Sequence, residues 1–261
     1  MFTPFKILSS SIDYLGYKPD QVYSHIDADK NEYSNQLNEY LRGTDGIIDG
    51  DRLSKLWFPH GKYDIFISHS HDDLNKARFL ASWFEKNCHL KCFVDSDVWG
   101  NANTLLKRLV AANCHFKYNL NGVVYDYDEL NLCTSHVFSM LSIALLEAID
   151  DIECPIFIET GNSVPLKTSI QDKTLSPWLY EEVNFMNKLP RKKPEWLNNI
   201  RYFSTESQSV LLEKAEDSLK ISHSVPTKGL VKINSVDIKK MIGHYGKYAL
   251  KELYRSKKII D

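Results

Sequence analysis

The sequence predicts an α/β fold, a flavodoxin-like and mainly parallel sheet flanked by helices. Three observations carry that expectation. Apolar runs with strand character recur at Tyr63–Ser68, Leu90–Asp95 and Cys154–Ile158. Helical stripes separate them, with Ala77, Leu80, Ala81 and Phe84 at helical spacing between the first two. Strands that alternate with helices build parallel sheets covered on both faces.

The elements follow in order. Residues 1–60 read as a polar, partly helical N-terminal extension. Leu37 and Leu41 sit at helical spacing within it, and Gly43, Gly46 and Gly50 punctuate it as turns. Pro59-His60-Gly61 marks a boundary, after which a second domain spans 61–261. Tyr63–Ser68 is its first strand, Asn75–Lys86 a helix and Leu90–Asp95 a second strand. A polar loop containing Trp99 and Gly100 leads to a helix over Leu105–Ala112. Residues 110–134, rich in Asn, Asp and Tyr, read as an insertion. Ser135–Ile149 is an apolar helix and Cys154–Ile158 a buried third strand. Ser176 is a good N-cap and Pro177 suits the first helical position, so a helix runs from there to Lys188 and stops before Pro190. Arg191-Lys192-Lys193-Pro194 is a basic exposed linker. The C-terminal segment 195–261 completes the domain, with helices expected over Val210–Leu219 and Val236–Tyr254. Short strands are expected near Lys220–Ser222 and Leu230–Ile233.

Bulk properties narrow the function. The 261 residues are 43% hydrophobic and 25% charged, with a net charge of −2. That balance is ordinary for a globular chain and gives no global attraction to nucleic acid or anionic membranes. No apolar run approaches the roughly 18 residues needed to span a bilayer. The start Met1-Phe2-Thr3-Pro4-Phe5-Lys6 lacks the features of a signal peptide, so a cytoplasmic location is expected. Five cysteines, an odd count, argue against a disulfide framework and suit buried structural thiols.

Tyr63–Asp73 ends a strand in His69-Ser70-His71, which invites a metal reading with Asp73 as a carboxylate ligand. The run lacks a closing histidine, because Leu74 follows Asp73. His71 reads better as a surface loop residue. No Gly-x-Ser-x-Gly elbow and no phosphate-cradling glycine loop is present. In the helix after Ser176, Trp178 and Glu182 are four apart and share a face. Leu179, Val183 and Met186 form a separate apolar stripe expected to face the sheet. Glu182 is either a solvated acid or a carboxylate gripping hydroxyls in a cleft.

Taken together, three segments resemble the Toll/interleukin receptor (TIR) domain family. Tyr63–Ser70 resembles its first strand and following loop. Phe93-Val94-Asp95-Ser96-Asp97-Val98-Trp99-Gly100 resembles its second strand and BB loop. Trp178 with Glu182 resembles its Trp-x-x-x-Glu helix. The motif core covers 62–189, and the spacing from Asp95 to Trp99 looks closest to bacterial antiphage proteins of the Thoeris type. Two departures stand out: the insertion, and Ser70 and His71 where animal NAD-cleaving members often carry arginines.

The resemblance implies cleavage of the nicotinamide–ribose bond of NAD. Products would be nicotinamide with ADP-ribose, or a cyclic ADP-ribose signal for a downstream effector. It implies Glu182 as the catalytic carboxylate, ionised at neutral pH and stabilising an oxocarbenium-like transition state. Phe66, Ser68, His69, Asp97, Trp99 and Trp178 would line the substrate cleft. NAD would be the substrate, with no cofactor and no metal, and self-association through TIR surfaces would assemble the active form. A non-enzymatic TIR scaffold is the alternative, and a metal-dependent hydrolase built on His69 and His71 is a third.

Overall fold

A computed structural model describes residues 1–24, 36–37, 39–40, 47–99, 101–119, 122–164, 173–197 and 222–261. The helix expected over Val210–Leu219 lies outside the described residues, as does most of the segment around Leu37 and Leu41. The chain divides into two compact units. A sheet unit comprises Met1–His25, Lys62–Asp95 and Ala148–Asp261, and an insertion unit comprises Ile26–Gly61 and Ser96–Glu147.

In chain order the elements begin with β1 (Phe5–Leu8), α1 (Ser9–Asp13) and α2 (Gly50–Trp57). β2 (Ile65–Ser68), a 3-10 turn (His71–Asp73), α3 (Leu74–Cys88), β3 (Cys92–Phe93) and α4 (Asp95–Val98) follow. The insertion then supplies α5 (Ala102–Asn113), β4 (Phe116–Asn119), β5 (Gly122–Tyr125) and most of α6 (Tyr127–Asp151). The chain continues through β6 (Cys154–Glu159), β7 (Lys173–Thr174), α7 (Pro177–Lys188) and β8 (His223–Ser224). It ends with β9 (Val231–Ile233), α8 (Ser235–Lys239) and α9 (Lys247–Ser256).

The sheet unit holds a five-stranded sheet in the order β3-β2-β6-β1-β9, with every pair parallel. It is an α/β sheet flanked by helices and compatible with a flavodoxin-like arrangement. If β2, β3 and β6 count as first, second and third, the order begins 2-1-3 as flavodoxin-like sheets do. The fourth place is held by β1. Residues 5–8, expected within a polar extension, therefore form an interior strand. Their alternation explains it: Phe5 and Ile7 are fully buried against the common core, while Lys6 pairs Glu159 at 2.9 Å. The run is only four residues long, interrupted by Lys6 and followed at once by Ser9-Ser10-Ser11, so it is too short to stand out.

Because side chains alternate along a strand, the sheet has two different faces. Ile65 and Ile67 of β2, Cys154, Ile156 and Ile158 of β6, and Phe5 and Ile7 of β1 share one core. Ala77, Leu80 and Phe84 of α3 and Leu250, Leu253 and Tyr254 of α9 join that core. Burying each large side chain there contributes about 1.5–3 kcal/mol. Phe66 and Ser68 point to the opposite face, where Phe66 stacks on Phe93 with ring centroids 5.4 Å apart. Ser68 stands in register with Phe157.

The expected helix over Val236–Tyr254 is two helices. Asn234 and Asp237 form a capping box that opens α8. Gly243 and Gly246 then take φ values of +88° and +52°, a region open to glycine, and the chain turns before α9.

Within the insertion unit, β4 and β5 pair as an antiparallel hairpin in the stretch read only as polar insertion. Its register puts Phe116, Tyr118, Val123 and Tyr125 on one face.

Candidate functional site

The best-formed polar site lies at the carboxyl end of the sheet between β2 and β6. The chain leaves β2 toward β3 on one side and leaves β6 toward β9 on the other. Neighbouring strands whose connections diverge leave a crevice at their carboxyl ends, where α/β proteins bind ligands.

Helix α7 delivers Glu182 to this crevice. Ser176 caps it as expected, its Oγ accepting from the Leu179 N–H at 3.3 Å, and Pro177 occupies the first position. The buried stripe is Leu179, Glu182, Val183 and Met186, a continuous i, i+3, i+4, i+7 face. Glu182 therefore shares the sheet-facing stripe, a correction to the expectation that Leu179, Val183 and Met186 form a stripe separate from it. Trp178 stands one turn before Glu182 and is half-buried.

Glu182 is 3% exposed, and Ser68, at 1%, donates a hydrogen bond from Oγ to Glu182 Oε2. His69 is buried beside it in the chain. Its Nδ1 lies 3.3 Å from the Ile67 carbonyl and 3.7 Å from Oδ1 of Asp95. Burial pushes the Glu182 carboxyl well above the ordinary value of 4.5, and the Asp95 charge adds to the rise. The Ser68 hydroxyl opposes it, while the Glu181 charge reinforces it. Burial and the Asp95 charge thus oppose ionisation of Glu182 in the resting site, where the family resemblance implies a carboxylate.

The structure brings Ser68 and Glu182 into contact, sets Phe66 on the same face of β2, and sets His69 against Asp95. Asp97 and Trp99 belong to the insertion unit. There Trp99 is buried, donates from Nε1 to the Pro59 carbonyl at 3.2 Å, and packs edge-on against Phe58. Asp97 is buried as well. His71 is exposed, as read from sequence. Among the described residues no group of three or more His, Cys, Asp and Glu side chains is arranged to hold a metal ion.

A second polar centre in the same crevice escaped the sequence reading, which weighed Asp73 only as a metal ligand. Asp73 is fully buried and accepts from four groups. Ser70 Oγ donates at 2.6 Å and Thr160 Oγ1 at 2.5 Å to Oδ2. Lys76 Nζ donates at 2.8 Å and Asn162 Nδ2 at 3.2 Å to Oδ1. Burial alone would raise its carboxyl, yet the bonds from Lys76, Ser70 and Thr160 carry it below the ordinary 3.8. Asp73 thereby ties the loop after β2 to the loop after β6. The Ser70-x-x-Asp73 spacing ahead of an apolar helix is a helix-start signal that could have marked it. Asp95 was also passed over as a site residue, although it sits inside the motif quoted for the second strand.

No protein-family model, curated protein or solved structure matches this chain.

Proposed function

We propose that this chain is a TIR-type enzyme that cleaves NAD at the nicotinamide–ribose bond, acting from the cytoplasm in bacterial antiphage immunity. The buried Ser68–Glu182 hydrogen bond at the carboxyl end of β2 carries the reading. It joins the first-strand segment to the Trp-x-x-x-Glu helix, two segments more than a hundred residues apart that resemble one family.

The chemistry follows from the site's electrostatics. NAD brings a cationic nicotinamide, and an opposite charge nearby favours an ionised carboxylate. Substrate binding would draw the raised pKa of Glu182 down and release its proton. The new carboxylate would then hydrogen-bond the ribose hydroxyls and stabilise positive charge developing at C1′. Nicotinamide leaves as a neutral base and needs no strong acid. Water attack at C1′ gives ADP-ribose, and attack by the adenine of the same molecule gives a cyclic isomer. Ser68 would hold the unreacted carboxyl, and Phe66, His69 and Trp178 would shape the cleft.

The test is nicotinamide release by purified, assembled protein, with products separated by mass spectrometry. Wild type should release nicotinamide and Glu182→Ala should not. Equal rates from both would overturn the assignment of Glu182. The scaffold reading draws on one observation, that Glu182 is buried within the apolar stripe of α7 and so also serves as a packing element. Wild-type protein that assembles yet never consumes NAD would decide for it.

A further inference from the structure

The insertion unit carries two thiols in contact. Cys114 ends helix α5, and its Sγ lies 3.6 Å from Sγ of Cys133 in α6. Both are free. Closing a bridge needs the sulfurs to move from 3.6 Å to about 2.05 Å, a displacement within reach of side-chain rotation. The two thiols differ in access. Cys114 is buried, whereas Cys133 is half-buried and lines a cavity of 430 Å³. Ile48, Leu53, Leu109 and Met140 form apolar walls of that cavity, and Asn113 and His136 add polar groups. His136 stands one helical turn beyond Cys133, on the same side of α6. The other three cysteines, Cys88, Cys92 and Cys154, are buried in the core of the sheet unit.

We infer that Cys114 and Cys133 form a redox modification site, a thiol pair that a peroxide closes to a disulfide within the insertion. Cys133 reacts first because it is the accessible thiol. Its sulfur attacks one oxygen of hydrogen peroxide, the O–O bond breaks, and Cys133 becomes a sulfenic acid. The departing oxygen leaves as water, carrying the thiol proton. The Cys114 sulfur then attacks the sulfenic sulfur, the S–O bond breaks, and the second oxygen leaves as water with the Cys114 proton. Two thiols lose two electrons in all, and one peroxide is reduced to two waters.

Cys114 is pushed up to about 11, first by burial and then by its contact with Cys133. The thiolate is the attacking species, so the closing step is the slow one and quickens as pH rises. The bridge would fasten the end of α5 to α6 across the β4–β5 hairpin. None of this depends on the NAD-cleaving reading.

The experiment exposes the reduced full chain to stoichiometric hydrogen peroxide, quenches with an alkylating reagent and maps the peptides. One dominant cross-link joining Cys114 to Cys133 is expected, formed faster at alkaline pH and reversed by dithiothreitol. Cys88, Cys92 and Cys154 should remain thiols that alkylate only in denaturant, which also reports that the fold is intact. Cys114→Ser should halt Cys133 at a sulfenic acid trapped by dimedone. Cys133→Ser should leave Cys114 unoxidised under the same exposure. Recovery of both thiols from wild type would overturn the proposal. So would Cys133 as sulfinic acid without the cross-link, or equal yields of bridges to the core cysteines.

Discussion

Two carboxylates sit in one crevice, equally hidden from water, and have been driven in opposite directions. Asp73 is met by three neutral donors and an ammonium, so its charge is held. Glu182 is resisted first by burial and then by the charge of Asp95, and the single Ser68 hydroxyl only partly offsets them. Burial pushes both upward, and the two part because donors outweigh it at Asp73 and nothing does at Glu182. The number and charge of the groups around a buried acid decide its protonation. Asp73 has the surroundings of a clasp between two loops. Glu182 has those of a group kept poised to ionise, which is costly for folding and suited to chemistry.

The sharpest way to break this contrast is to remove the acids in turn. On the proposed NAD-cleaving reading, Glu182→Ala should lower the rate of nicotinamide release by about 10³-fold or more, the scale of losing a group that stabilises transition-state charge. Asp73→Ala should leave Lys76 without its buried partner and orphan three further donors. We expect a loss of about 3–5 kcal/mol, read from denaturant unfolding at neutral pH. Its pH dependence has a definite sign. The folded pKa of Asp73 lies below the unfolded value, so its contribution is present above about 3.8 and fades as pH falls through the folded value. The gap between wild type and Asp73→Asn should therefore narrow in acid.

Glu182 runs the other way. Its folded pKa lies above 4.5, so the native state binds the proton more tightly than the unfolded chain. Its contribution is complete below 4.5 and is lost as pH rises through the folded value. Glu182→Gln keeps the shape and an acceptor for Ser68 but cannot ionise. It should be more stable than wild type by about 0.5–2 kcal/mol on the alkaline side, with the advantage vanishing in acid. A thermal unfolding series across pH checks this. The smallest effect concerns Asp95→Asn. If the chain cleaves NAD as proposed, removing that charge should move the rising limb of kcat/KM against pH toward lower pH, since this limb reports the free protein. An unmoved limb would show that Asp95 does not set the protonation of Glu182.

Much of this architecture is legible in the chain. Ile65–Ser68, Cys154–Glu159 and Pro177–Lys188 declare themselves through apolar runs and a capped helix start. The pairing of Ser68 with Glu182 could be expected only through family resemblance, because no local pattern links residues so far apart. The four-donor cradle of Asp73 was invisible for the same reason. Thr160 and Asn162 reach it only after β6 is placed beside β2. The hydrophobic hairpin of β4 and β5 was masked by polar neighbours. The contact of Cys114 with Cys133 depends on how α5 and α6 pack, which spacing does not reveal.

The position of β1 governs how the sheet can be assembled. Phe5 pairs with Ile156 on one side and with Val231 on the other. A strand whose nearer partner, β6, lies more than half the chain away must bear the closure entropy of that long loop before it gains a single ladder bond. Such non-local pairing slows folding. A fragment starting at Lys62 would keep the crevice residues but leave an open slot between β6 and β9. The unsatisfied edges on both sides of that slot would be a template for aggregation. Supplied separately, a peptide carrying Phe5–Leu8 is the natural occupant of the gap, by the same strand addition that other sheets use to capture extended partners.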